Sequence, residues 1–393
     1  MTFNEYDMSK VNRVLLLGVG TDGGAGQYSA QLANGLASHI ETVVLLPDHN
    51  RTEFEELLDQ SVTVETFPMP STGSVTPPPG NRIAGTVERL GILKSLGEEI
   101  RSIDPDLVHI PFYTSGPLRA YLLPILKTFG LPTVGTVHDP QSHSGQESLV
   151  FGVDVKEKSR AAGGLLMDRI IVHGPETKKQ AIEAGYKESK LRIVPHGIYT
   201  HFPEGDGGID PNKLLFFGNI RENKGYDRIP ELLDLVAEQH PEVTAIVAGQ
   251  VPHSAEGDWA QRTLKRLRDH ERVTLDHGYV SSEQAAKYFA QSAAVVLPYY
   301  DATTSGVLMV AYRYNTPVIA TDVGDLGHYI KDDGTGLLAT TNSAKSVAKE
   351  TIRLLSDQTC RRQIVENLEA AAERYSWDEI ASRTVRIYSE IAG

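Results

Sequence analysis

Short runs of Val, Ile and Leu recur along the chain with helix-period segments between them, the pattern of βα units around a parallel sheet buried on both faces. The first run is Arg13-Val14-Leu15-Leu16-Leu17-Gly18, and further strands are predicted over 42–46, 62–67, 107–112, 133–138, 169–173 and 191–194. After Pro195-His196-Gly197 comes a polar, glycine-rich segment, Pro203-Glu204-Gly205-Asp206-Gly207-Gly208, with the composition of a linker. The alternation then restarts, with strands predicted over 214–218, 243–248, 273–276, 294–297 and 317–321 and helices over 227–240 and 281–292. The stretch 377–391 is amphipathic at helical spacing and has no strand after it, which suits a helix packing back across a hinge.

The expected layout is a doubly wound domain over 1–200, a linker over 201–212, a second such domain over 213–375 and a terminal helix over 376–393. In paired sheets of this kind, ligands bind beyond the carboxyl ends of the strands, so a substrate cleft is expected between the domains. A length of 393 residues is ample for two cores. The formal net charge of -13 is spread along the chain and disfavours nucleic-acid partners and general attraction to anionic lipid. The single cysteine, Cys360, has no partner for a disulfide or a zinc pair, which fits a reducing compartment. The polar start, Met1 to Lys10, and strand-sized apolar runs show neither a secretory signal nor a spanning helix, so the expectation is a cytoplasmic protein with at most peripheral contact at the inner face of a membrane.

Chemistry concentrates in the second half. The strand over 214–218 runs into Asn219-Ile220-Arg221-Glu222-Asn223-Lys224-Gly225, which sets two cations where the strand emerges. Arg supplies a planar fork of donors and Lys a compact charge, together suited to a diphosphate, although a lone pair of cations also reads as solvated loop. Further on, Leu297-Pro298-Tyr299-Tyr300-Asp301-Ala302-Thr303-Thr304-Ser305-Gly306-Val307 ends a strand, makes a small-residue turn and opens a helix. Free backbone N–H groups at such a helix start bind anions, and Thr304 or Ser305 can also serve as an N-cap. Asp104-Pro105-Asp106 has metal-ligand spacing but enters a strand at its amino end, far from the catalytic edge, so it reads as structural. The histidines lack the spacing of a zinc site, and no metal is expected. Gly23, Gly24 and Gly26 after the first strand depart from Gly-x-Gly-x-x-Gly, and only Asp48 stands as a marginal ribose ligand for a dinucleotide.

Taken in order, these motifs resemble glycosyltransferase family 4, the retaining GT-B enzymes, over nearly the whole chain. The resemblance aligns Gly23-Gly24-Ala25-Gly26 with the family's glycine-rich loop, Arg221 and Lys224 with its phosphate-binding pair, and Pro317-Val318-Ile319-Ala320 with Val323-Gly324 with its closing strand and turn. It sets His138 in Thr136-Val137-His138-Asp139 near the transferred sugar, and Pro195-His196-Gly197-Ile198 at the interdomain segment. The Thr304-Ser305-Gly306-Val307 turn would hold the donor, with Tyr279 and Val280 where the family's base docks against backbone. Of the two glutamates the family carries eight positions apart, the second position is Val310, which cannot bind ribose hydroxyls, and the first falls at Ala302 or Asp301, so only Asp301 offers a carboxylate.

The resemblance implies two Rossmann-like domains, no cofactor and a nucleotide-diphosphate sugar as co-substrate. It further implies same-face attack by an acceptor hydroxyl, without an enzymic nucleophile. The proline-rich stretch 69–80 and the polar loop 140–147 are candidates for acceptor contact, while 83–100 reads as core rather than as contact with a lipid-linked acceptor. Three functions stay open: hexosyl transfer to a glycan, a lipid-linked saccharide or a small acceptor; a GT-B epimerase or phosphorylase; and a non-catalytic nucleotide-sugar-binding relative.

Overall fold

The computed structural model describes residues 11–18, 23–48, 52–68, 82–113, 117–141, 149–150, 153–154 and 161–392. The stretch Met1 to Lys10, the proline-rich segment and most of the 140–147 loop lie outside these residues. In the first half the strands are β1 (Arg13–Leu17), β2 (Glu41–Pro47), β3 (Thr63–Phe67), β4 (Leu107–Ile110) and β5 (Thr133–Thr136). A two-stranded antiparallel ribbon, β6 (Leu149–Val150) and β7 (Val153–Asp154), precedes β8 (Arg169–Val172) and β9 (Leu191–Ile193). Seven of these form one parallel sheet in the order β3-β2-β1-β4-β5-β8-β9.

The second half holds β10 (Asp210–Phe217), β11 (Thr244–Gly249), β12 (Val273–His277), β13 (Ser292–Leu297), β14 (Val318–Thr321) and β15 (Gly336–Ala339). They form a second parallel sheet in the order β12-β11-β10-β13-β14-β15. Every residue of the inner strands β4, β5, β13 and β14 is buried, as helices on both faces require, whereas the edge strand β3 alternates. β15 carries no run long enough to stand out by pattern. β10 begins at Asp210, so the strand takes up the last three residues of the expected 201–212 linker.

The helix Arg82–Ile103 buries Ile92, Leu96 and Ile100 in the first-half core. Asp106 receives the backbone N–H groups of Asn12 and Arg13 at 2.8 and 2.9 Å, tying the entry of β4 to that of β1. The C-terminal helix Trp377–Ser389 returns to the first half. Its Trp377, Ile380, Val385 and Tyr388 pack with Val14, Leu16 and Leu36. The Trp377 indole N–H donates to the Ile198 carbonyl at 2.5 Å, so one side chain joins the helix to the connection between the halves.

A second junction crosses the halves. Asp325 stands at the head of the helix Leu326–Asp333, but its carboxylate accepts from the Glu176 N–H at 2.8 Å, from the Thr177 N–H and from the Thr177 hydroxyl. It thereby caps the helix Pro175–Ala184, whose own N-cap, Gly174, has no side chain to do so. One turn along, the Tyr329 hydroxyl donates to the His173 carbonyl at 2.9 Å and accepts the His196 N–H at 3.0 Å.

Replacing a buried tryptophan by alanine removes both its transfer energy and its packing. Trp377→Ala is expected to cost about 3–5 kcal/mol of unfolding free energy, read as a lower denaturant midpoint; a loss under about 1 kcal/mol would show that the terminal helix is not integral to the first half.

Candidate active site

One cavity of about 880 Å3 lies between the halves, walled by residues that follow the carboxyl ends of β1, β4, β5, β10, β11 and β12. On the second-half side, β10 delivers the chain into a short turn, Glu222–Lys224, closed by Gly225 at φ 66°. A Cβ at Gly225 would stand 2.0 Å from the Pro298 carbonyl oxygen, so only glycine lets this turn pack against the loop after β13. Asn223 stitches the two together, its carbonyl accepting from the Tyr300 and Asp301 N–H groups and its amide donating to the Asp301 carbonyl at 3.0 Å. The Lys224 ammonium rests 5.1 Å from the centre of the Tyr299 ring and faces the cavity.

The helix Gly306–Arg313 then starts on the cavity wall. Ser305 is its N-cap but makes no capping bond; its hydroxyl lies 3.4 Å from that of Tyr299. With no acidic residue in the first turn, the helix start presents unneutralised positive potential. Opposite it, the helix Gly23–Ala37 begins at the same cavity, also without an acid in its first turn. Tyr199 lies between the two starts: a Cβ on Gly306 would be 3.1 Å from its hydroxyl and one on Gly24 3.8 Å.

Aromatic and imidazole rings line the first-half side of the cavity. His138 stacks on Phe112 at 4.4 Å and meets the edge of Tyr28 at 4.5 Å. Its Nε2 lies 3.1 Å from the Pro111 carbonyl and its Nδ1 3.0 Å from Nε2 of His173, so both nitrogens are engaged inside the protein. Burial pulls His138 down to about 4 and His196 to about 3, against the opposing pull of backbone carbonyls at Pro111 and Gly197. His201, lowered to about 4 by burial, has no hydrogen-bond partner on either ring nitrogen among the described residues. Asp139 is the one carboxylate among the described lining residues, and it accepts from the Thr303 hydroxyl across the cleft.

The cavity thus gathers Gly23, Gly24, His138, Lys224, Tyr279, Val280, Thr304, Gly306 and Val307 from the residues singled out by sequence. It does not gather all of them. Arg221 heads the Lys224 turn outside the cavity lining, with its buried Nε unpartnered among the described residues. Gly26 is buried within its helix, Ser305 turns to Tyr299, and Asp301 is held by its backbone beside Asn223. Val310 does line the cavity, so its wall is apolar where the family's second glutamate would stand. The residues that sequence reasoning passed over as site members are Tyr28, Asp139, Tyr199 and His201, with His173 behind them. Asp139, His173, Tyr199 and His201 lie within a few residues of a strand end or of the Pro195-His196-Gly197 segment, and that adjacency is the signal available; Tyr28 lies inside the helix Gly23–Ala37 and carries no such signal.

Two doubly wound domains enclosing one cavity give the GT-B fold. The chain belongs to the family-4 glycosyltransferases: the model Glycosyltransferase Family 4 matches residues 22–202 and the model Glycosyl transferases group 1 matches residues 204–371. A D-inositol 3-phosphate glycosyltransferase from Pseudarthrobacter chlorophenolicus is 25% identical to it, over 97% of this chain and 96% of that one. Among solved structures, sucrose-phosphate synthase from Thermosynechococcus elongatus has a TM-score of 0.73 at 17% identity, covering 97% of this chain and 99% of the other. HepE of Anabaena, in complex with UDP, has a TM-score of 0.70 at 16% identity, covering 97% and 100%. Both structural likenesses speak for the fold; glycosyl transfer as the activity rests on the family matches.

The buried histidines set an acid limit on stability. An unfolded histidine takes a proton near 6.5, whereas His138 resists until about 4 and His109 and His196 until about 3. Protons therefore favour unfolding as pH falls below 6.5, by up to about 1.4 kcal/mol per pH unit for each such histidine. Melting followed at pH 7, 6 and 5 is expected to show a steadily falling midpoint; a midpoint unchanged to pH 5 contradicts the neutral buried assignment.

Proposed function

We propose that this chain is a retaining, metal-independent hexosyltransferase that moves sugar from a nucleoside-diphosphate donor to a glycan, a lipid-linked saccharide or a small acceptor. The observation that carries the reading is the meeting of two helix starts, one from each domain, with Lys224 at a single cavity. That arrangement concentrates positive potential where a diphosphate would gain charge as it leaves. Lys224 acts as the direct cation. Arg221, one turn away with its buried Nε unpartnered among the described residues, is the second cation once the turn closes on the ligand. Thr304 and the N–H groups beyond it hold the phosphates, and Tyr279 and Val280 flank the base. UDP-glucose is the first donor to test, because structures of the fold relative HepE hold UDP and UDP-glucose.

The one carboxylate on the described wall, Asp139, is bound to the Thr303 hydroxyl, and both His138 nitrogens are engaged, which supports a reaction without an enzymic nucleophile. The acceptor hydroxyl then attacks from the face that the diphosphate leaves, and a phosphate oxygen takes its proton. A site in the cytoplasm, at or near the inner face of a membrane, suits such a donor; among the described residues no helix is long and apolar enough to cross one. The apolar Val310 supports a second reading, a relative that binds nucleotide sugars without transferring them.

Binding and turnover of UDP-, GDP- and ADP-glucose separate these readings. Lys224→Ala is expected to lower kcat/KM about 100-fold or more and Arg221→Ala to lower it less, with anomeric configuration retained in the product by NMR and turnover unchanged by EDTA. Binding of none of these donors sinks the donor assignment; binding without transfer to any acceptor favours the second reading; loss of turnover in EDTA sinks metal independence.

A further inference from the structure

β5 and β8 are parallel neighbours with Thr136 opposite Ile171, and the same register carried two residues onward sets His138 beside His173. Their rings are 4.6 Å apart, with His173 Nε2 3.0 Å from His138 Nδ1. Each outer nitrogen faces a carbonyl: His138 Nε2 lies 3.1 Å from that of Pro111 and His173 Nδ1 3.0 Å from that of Val194. A carbonyl oxygen only accepts, so both outer contacts require an N–H, and the contact between the rings requires a third. Two neutral imidazoles carry only two. The row of three bonds is complete as an imidazole and an imidazolium sharing one positive charge. Without that extra proton, two lone pairs face each other or one carbonyl loses its donor.

Burial opposes the charge, lowering both rings. Around the pair, Asp139 favours the proton, while His109 on β4 and His196 on the interdomain connection are themselves held neutral by burial. The remaining titratable neighbours among the described residues are the phenols of Tyr28, Tyr199, Tyr329 and Tyr388, kept protonated by burial, and Asp325, already bound to Thr177. In the free protein, then, the balance is set by burial against one exposed carboxylate. A dianionic diphosphate entering beside His138 changes that balance.

We propose that His173 is a positioning residue that holds His138 in a proton-sharing pair, and that this pair takes up one proton from solvent when a nucleoside-diphosphate sugar fills the cavity and returns it when the nucleotide leaves. The leaving diphosphate thus departs beside a cation that the empty site does not carry. The inference rests on the donor assignment made above.

Calorimetric titration with UDP-, GDP- and ADP-glucose, whose diphosphate diesters do not titrate near neutral pH, separates the two. Binding enthalpy measured at pH 7.5 in phosphate and in Tris is expected to differ by the difference in buffer ionisation enthalpy, at a slope approaching one proton per sugar nucleotide bound. His173→Gln, whose amide can donate to His138 Nδ1 without an added proton, is expected to bind the same donor with a slope near zero and a kcat roughly tenfold lower. Binding with no buffer dependence in the unaltered protein overturns the proton pair and leaves the donor assignment standing; no binding at all overturns both. A slope of one retained in His173→Gln places the proton elsewhere and also overturns the pair. If that variant does not fold, 15N shifts of the histidines in the unaltered protein decide: movement of the pair toward imidazolium on donor binding supports it, and no movement overturns it.

Discussion

The carboxylate of Asp325 is the contact on which the geometry of the cleft depends. It is fully buried, where an isolated charge would be costly, and it is tolerated because it is the counter-charge and cap for a helix of the other half. Desolvation raises its pKa while the Thr177 and Glu176 donors pull it back. Tyr329 adds a bridge to His173 and His196 beside it, so this junction fixes the very strand ends that carry the cavity's histidines. At the cleft itself the halves meet again through Thr303 and Asp139, but there the carboxylate is exposed. Breaking a buried, multiply donated carboxylate costs several kcal/mol, about 3–5, and an exposed contact typically costs under about 1. The two junctions are therefore unequal: one suits a pivot and the other a latch.

Much of this architecture was legible because parallel strands buried on both faces read as unbroken Val/Ile/Leu runs. Most inner strands were found to within a residue or two, but β10 starts four residues earlier than its apolar run, and β15 was missed because Gly336-Leu337-Leu338-Ala339 is too short to stand out from helix. Site residues carried by a local turn were legible too: Lys224, Thr304, Gly306 and Val307 sit together because adjacent strands β10 and β13 end side by side. Residues that depend on sheet pairing or on the meeting of the two halves were not. Tyr199 acquires meaning only when two helix starts converge on it, and His173 only when its register with His138 is known. Those facts belong to sheet pairing and domain closure, which a periodicity does not encode.

The apolar patch at Val310 and the engaged state of His138 point the same way. Side chains that would mark a carboxylate-driven site are sparse on this wall, while helix starts and backbone turns are plentiful. Electrostatics from the main chain is oriented by the fold itself and adds to the charge of Lys224 and of the His138–His173 pair.

Two helices opening on the cavity with glycine have a consequence for descent. A main-chain N–H is specified by no codon, so a site that relies on it loses little when ordinary substitutions accumulate around it, and its partners can drift without abolishing the chemistry. What such a lineage cannot surrender is the small residue that keeps the approach open, here Gly306 against Tyr199. Sequence divergence and preserved architecture, as between this chain and the sucrose-phosphate synthase that shares its fold at 17% identity, are then compatible outcomes of the same design.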